Sequence, residues 1–142
     1  MTDIGKKIRP AVKAIIEKDD KLLVLNIENR NSSYWVLPGG KVEYGEAPLN
    51  SLERELEEEL SVNAEIKEIV GMYHFFVGSE DEGDEIVLTT FEADIGDQQI
   101  DISSNPADEN ITKYRWMTTD KLIEKTSNQS LAKLIAKYRN KK

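Results

Sequence analysis

Between Leu52 and Leu60 five glutamates surround a single arginine, Arg54. Like charges one helical turn apart weaken a helix by about 0.2–0.5 kcal/mol per pair, so the crowding asks for a purpose. At about 100° per residue, Glu55, Glu58 and Glu59 share a face beside the stripe Leu49, Leu52, Leu56 and Leu60. Glu53 and Glu57 fall on the far side of that stripe, in solvent. Arg54 stands one turn before Glu58 and can orient or neutralise one carboxylate. The charge left over asks for a divalent cation. Oxygen ligands without His or Cys favour magnesium or manganese over zinc. Magnesium held by few carboxylates keeps waters and shares substrate phosphates, which makes phosphate chemistry the natural use. On these residues alone, the competing account is an ordinary solvated helix face.

The elements that would position such a cluster can be read along the chain. The β-branched runs at 8–17 and 22–27 form a hairpin turned at Asp19-Asp20. "SSYWVLPGG" gives a short strand, about 33–37, stopped by Pro38 and two glycines. The period then becomes helical from Pro48 to Leu60; Pro48 suits the first helical position, although Ala47 is a weak N-cap. Strands at 64–78 and 84–95 flank the acidic turn "SEDEGD", and a further strand covers 111–117. "TTDKLIEK" starts a short helix, and "SLAKLIAKYRNKK" is an amphipathic helix whose basic end complements its dipole. Strands flank one central helix and further helices follow, which implies an α/β layered domain with a mixed sheet.

Composition narrows the class. At 142 residues, 39% hydrophobic and 32% charged, residues 1–142 read as one soluble globular domain. A formal charge of -8 argues against a nucleic-acid polymer as partner, since phosphates need a basic surface. It leaves room for a nucleotide ligand, because a bound cation screens phosphates locally. There is no cysteine, hence no disulfide or thiolate metal site. The first residues lack an apolar core of signal-peptide length, and no run approaches a membrane span. The expectation is a cytoplasmic protein without a membrane partner; a homodimer is left open.

Spacing sharpens the glutamate question. From Gly40 the segment runs Gly, five residues, Glu46, seven residues, then Arg54-Glu55-Leu56-Glu57-Glu58-Glu59-Leu60-Ser61-Val62. This resembles the Nudix box, G-x5-E-x7-R-E-U-x-E-E-x-G-U, where U is a bulky aliphatic residue. Every specified position matches except Ser61, which stands where the family has glycine. The preceding "WVLPGG" resembles the strand that leads into the box. The box covers residues 40–62, and the order of the flanking elements is similar to the family's α/β/α sandwich. A glycine past the helix end serves a left-handed conformation, so Ser61 would adopt it at a cost of roughly 1 kcal/mol.

The resemblance implies hydrolysis of a nucleoside diphosphate linked to another group. Carried onto this chain, Glu55 and Glu59 would be the principal Mg²⁺ ligands, with Mn²⁺ as substitute. Glu58 would be a further ligand or hold metal-bound water, and the Gly40 carbonyl would complete the set. Arg54 would fix the glutamate rotamers with Glu46 as its partner. "ADENITKYRW" resembles the family's acidic loop before the last strand, which makes Glu109 the candidate general base and Asp108 the reserve. Arg9 and Glu46 are assigned to substrate binding. His74, the single histidine, is given a structural role. Trp35 and Trp116 are expected at the core or its edge, with Tyr73, Phe75 and Phe76 as other aromatics for a nucleoside slot. The substrate marks of ADP-ribose hydrolases (a downstream proline) and of diadenosine polyphosphate hydrolases (a tyrosine there) are absent from "YHFFVGSE", with Tyr73 falling too early. That leaves a (d)NTP, ordinary or oxidised, giving a monophosphate and pyrophosphate, ahead of an ADP-ribose or ADP-sugar. A non-catalytic nucleotide-binding module ranks last, since such modules lose box carboxylates and all are present here.

Overall fold

The run "AVKAII" fixes the middle of the molecule, because both of its faces are apolar. A computed structural model describes residues 6–78, 83–106 and 110–141. In it Ala11 and Ile15 pack into one core cluster while Val12, Ala14 and Ile16 pack into another. The same alternation recurs at Leu22 and Val24 against Leu23 and Leu25. Strands buried on both faces read as continuous hydrophobic runs, which is why these segments show no polar face.

Two four-stranded sheets result. In the first, β1 (Ile8–Ile15) lies between β5 (Gly39–Lys41) and β7 (Asp84–Asp94), and β6 (Glu65–Val77) forms the far edge. β1 runs parallel to β7 and antiparallel to β5, so this sheet is mixed as expected. In the second, β3 (Lys21–Asn29) pairs antiparallel with β2 (Glu17–Lys18), β4 (Ser32–Val36) and β8 (Ile111–Thr118). α1 (Pro48–Leu60) covers one face, with Leu52, Leu56 and Leu60 fully buried. α2 (Thr119–Lys125) and α3 (Gln129–Asn140) belong to the other face, where Leu122, Leu131, Leu134 and Ile135 enter the core. Each of these two helices begins on a capping side chain: Thr118 accepts from the Lys121 N–H, and Asn128 from the Leu131 N–H.

Three expectations change. The hairpin turn at Asp19-Asp20 forms with both residues at positive φ, 52° and 63°. Its first arm, however, divides at Ile16: β1 is taken by β7 along eight parallel pairs, and only Glu17 and Lys18 fold back on β3. The two glycines expected to stop a strand open a new one, since Gly39 and Gly40 pair with Lys13 and Val12. Leu49, assigned to the buried stripe, is 46% exposed. It lies in the first turn of α1, and the angular argument takes no account of where along the axis the sheet gives cover.

The aromatic residues divide by depth. Tyr73 is buried in the core on the α3 side, and burial pushes its hydroxyl pKa up. Trp35 and Trp116 are partly buried against opposite core clusters, Trp35 under Arg115 and Lys113, Trp116 under Lys18. His74 has a structural place: its main chain is held by Asn128 and Ser130, and its Nδ1 lies 2.7 Å from Glu85 Oε2. Phe75 is exposed on β6, and Phe76 is half-buried edge-on to His74.

Candidate active site

α1 and β5 bring the site together. The helix forms because Pro48 sets its first turn and the leucines bury against the sheet. It ends at Ser61, whose φ of 60° and ψ of 40° are left-handed while its N–H still donates to the Glu57 carbonyl. The expected conformation of the motif glycine is therefore adopted by a serine. On the sheet-facing side of α1, two carboxylates lie among the leucines: Glu55 is 6% exposed and Glu59 4%. Glu53 and Glu57 are exposed.

Both buried carboxylates meet the glycine pair. Glu59 Oε1 accepts from the Gly39 N–H at 2.8 Å. A methyl group on Gly40 would lie 2.5 Å from Glu55 Cδ, so a larger residue there would push the Glu55 carboxylate out of this position. Gly39 itself, at φ 132°, has no room for a side chain because the Val12 carbonyl would collide with it.

Arg54 organises the outer part. Its Nε and Nη2 grip Glu46 at 2.9 and 3.0 Å, a bidentate pair. Its Nη1 reaches Glu55 Oε1 at 3.1 Å and Glu58 Oε2 at 3.3 Å. Glu46 is also held by the Ser51 hydroxyl at 2.6 Å, and Ser51 is fully buried. The Arg54 guanidinium, helped by Ser51, draws the Glu46 carboxyl pKa down to about 2. The hydrogen bond to Glu46 in turn raises the Arg54 pKa further above its ordinary value.

The carboxylates are thus not a closed cage. Among the described residues no group of three or more Asp, Glu or His side chains is gathered to hold a metal by itself. Glu58 stays at the rim, its side chain 40% exposed. What the geometry offers is a buried pair, Glu55 and Glu59, against glycine backbone. One guanidinium is shared among Glu46, Glu55 and Glu58. An all-oxygen, anionic set beside open backbone suits a hard divalent cation whose shell is completed by carbonyl, water and phosphate oxygens.

Of the other expected residues, Glu46 belongs to the Arg54 network and Arg9 is paired elsewhere. Both oxygens of Glu46 are engaged by Arg54 and Ser51. Arg9, on β1, pairs with Asp84 at 2.6 Å and its side chain is 47% exposed. Glu109 and Asp108 lie outside the described residues, as does the tip of the acidic turn at 80–82. Two participants escaped the sequence reading. Ser51 supports Glu46, and its signal was a small polar residue one turn before Arg54 on a leucine-rich helix. Lys13 donates from Nζ to the Leu37 and Gly39 carbonyls, and its signal was one lysine within "AVKAII".

Comparison with known proteins gives a consistent result. A family model described as the NUDIX domain matches residues 7–138. The ADP-ribose pyrophosphatase of Methanocaldococcus jannaschii is 39% identical over 64 residues, 44% of this chain and 38% of that protein. The CTP pyrophosphohydrolase of Escherichia coli is 38% identical over 69 residues, 47% of this chain and 51% of that protein. The chain spans about half the length, or less, of the curated relatives it matches. The crystal structure of the MutT protein from Methanosarcina mazei Go1 superposes with a TM-score of 0.77 over 96% of both chains at 21% identity, a likeness of fold.

Proposed function

The chain belongs to the NUDIX family, and from that premise we propose that it hydrolyses the pyrophosphate linkage of a nucleotide with a divalent cation, Mg²⁺ or Mn²⁺, at the Glu55–Glu59 site. The observation that carries the reading is the pair of carboxylates buried at 6% and 4% exposure against Gly39 and Gly40. Such burial of charge is costly unless it is compensated. Glu55 and Glu59 would be the principal cation ligands, with Glu58 at the rim and the Gly40 carbonyl alongside. When bound, the cation would neutralise charge on the pyrophosphate and acidify a water.

The chain's own residues have separate tasks in this reading. The Gly39 N–H holds Glu59 in one rotamer. Arg54 holds Glu55 and Glu58 while Glu46 and Ser51 hold Arg54. Glu109, with Asp108 in reserve, is the proposed base that takes a proton from the attacking water. Arg9 is the proposed contact to phosphate or base, and would have to leave Asp84 to make it.

For the substrate we favour a nucleoside triphosphate, ordinary or oxidised, cleaved to a monophosphate and pyrophosphate. The partial match to a CTP pyrophosphohydrolase supports that choice. The match to an ADP-ribose pyrophosphatase favours the second reading, an ADP-sugar cleaved to two monophosphates. No described helix is long and apolar enough to cross a membrane.

The test is a panel of dNTPs, oxidised dNTPs, ADP-ribose, ADP-sugars and dinucleotides with Mg²⁺, products resolved by ion exchange. A monophosphate with pyrophosphate from one triphosphate is expected, and EDTA should abolish it. Two monophosphates from ADP-ribose would keep the chemistry and overturn the substrate choice. Silence across the panel, with Mn²⁺ shown to bind, would favour a nucleotide-binding module.

A further inference from the structure

The glycine turn is held by more than the helix. Three consecutive carbonyls, those of Leu37, Pro38 and Gly39, are each tied to β1. The Pro38 carbonyl accepts from the Ala14 N–H at 2.9 Å. The Leu37 and Gly39 carbonyls both accept from Lys13 Nζ, at 2.9 and 3.2 Å. Lys13 sits directly opposite Gly39 in the β1–β5 register, so its half-buried side chain need only fold across to make both bonds.

The division of labour among these bonds is informative. The peptide joining Pro38 to Gly39 is fixed at both ends, its carbonyl by Ala14 and its N–H by Glu59. The peptide joining Gly39 to Gly40 has a glycine on each side, and glycine offers the weakest steric restraint on rotation. Its carbonyl is the second one that Lys13 holds. The same peptide fixes where the Gly40 backbone sits against Glu55. A charged donor to two carbonyls makes stronger hydrogen bonds than a neutral one.

We infer that Lys13 is a positioning residue for this site: its ammonium clamps the peptides on both sides of the Glu59-bound amide and so holds the glycine backbone in register with Glu55 and Glu59. The inference rests on the reading of those two carboxylates as cation ligands. It assigns a role to a residue outside the Arg54 network, reaching the ligands from the opposite element.

Lys13→Met and Lys13→Arg test it. In the metal-free protein, amide hydrogen exchange at Gly39 should quicken roughly tenfold in Lys13→Met while core amides such as Leu23 keep wild-type protection. Lys13→Arg, which keeps charged donors, should restore most of the protection. Mn²⁺ affinity measured by electron paramagnetic resonance should fall about 10–100-fold in Lys13→Met, as for other residues that orient metal ligands. KM for the nucleotide at saturating metal should stay near wild type while kcat falls. Unchanged Gly39 exchange in Lys13→Met, or a Lys13→Arg variant as impaired as Lys13→Met, would overturn the clamp. If the wild-type protein bound no Mn²⁺, the ligand reading would fall, and the exchange measurement would still decide whether Lys13 holds the turn.

Discussion

At the scale of single residues, Glu46 shows how the motif divides its work. Both its oxygens are taken by Arg54 and Ser51, so in this geometry it supports the guanidinium, with its side chain 23% exposed. Its carboxyl pKa of about 2 lies below the ordinary 4.5, chiefly through the Arg54 hydrogen bond. A carboxyl with a depressed folded-state pKa stabilises the fold fully above its unfolded value, and that contribution is lost as pH falls through the folded value. The window is therefore pH 4.5 down to about 2. Wild type should melt above Glu46→Gln at neutral pH, and the gap should close across that window in thermal melts at successive pH values. A gap that stayed constant to pH 2 would mean that the Arg54–Glu46 pair is not the source of the difference.

At the scale of elements, α1 is the part whose sequence and structure agree most closely, Leu49 apart, and Ser61 closes it in the expected left-handed conformation. Its left-handed conformation costs a non-glycine residue roughly 1–2 kcal/mol. Glycine would remove that strain and give back about 0.4–1 kcal/mol through a freer unfolded chain. Ser61→Gly should therefore stabilise by up to about 1 kcal/mol in denaturant titration, and Ser61→Val should destabilise. Equal stability of all three would show that the helix end relaxes by another route. The helix and its carboxylates were legible because a 3.6-residue period, a leading proline and fixed spacings are all local signals. β5 was not, since Gly39 and Gly40 read as a stop; what makes them a strand is pairing with Val12 and Lys13, far off in sequence. The division of the first hairpin at Ile16 is illegible for the same reason, because β7 competes for β1 from more than seventy residues away. Lys13 and Ser51 carry no local mark of their roles, which arise only once the sheet and α1 are packed. For the carboxylates the helical period carries only the shared face of Glu55, Glu58 and Glu59; burial, which depends on the packed sheet, separates Glu55 and Glu59 from Glu58 at the rim.

At the scale of the whole molecule, the proposed function poses an electrostatic conflict. A chain of formal charge -8 has little long-range attraction for a polyphosphate. Negative charge is concentrated where α1 meets the mixed sheet, and in the proposed function a bound cation would invert the local sign there. The rest of the architecture packs around that interface: α1 buries three leucines on one side, while α2 and α3 close the other core. Tyr138 of α3 adds a hydroxyl hydrogen bond to Glu17 of β2, joining the last helix to the second sheet. Without the cation, the buried carboxylates should oppose folding; with it, they should support folding and permit chemistry.

Glu59→Gln separates those two effects most directly, because the amide oxygen can still accept from the Gly39 N–H while the charge is gone. On the best substrate of the panel, kcat with Mg²⁺ should fall at least about a hundredfold, a loss expected when a ligand's charge is removed. In EDTA the variant should melt at or above the wild-type temperature, and added Mg²⁺ should raise the wild-type melting point more than the variant's. Full activity in Glu59→Gln, or a variant that is destabilised in EDTA and unaffected in catalysis, would contradict the assignment of these buried glutamates to a cation and its pyrophosphate.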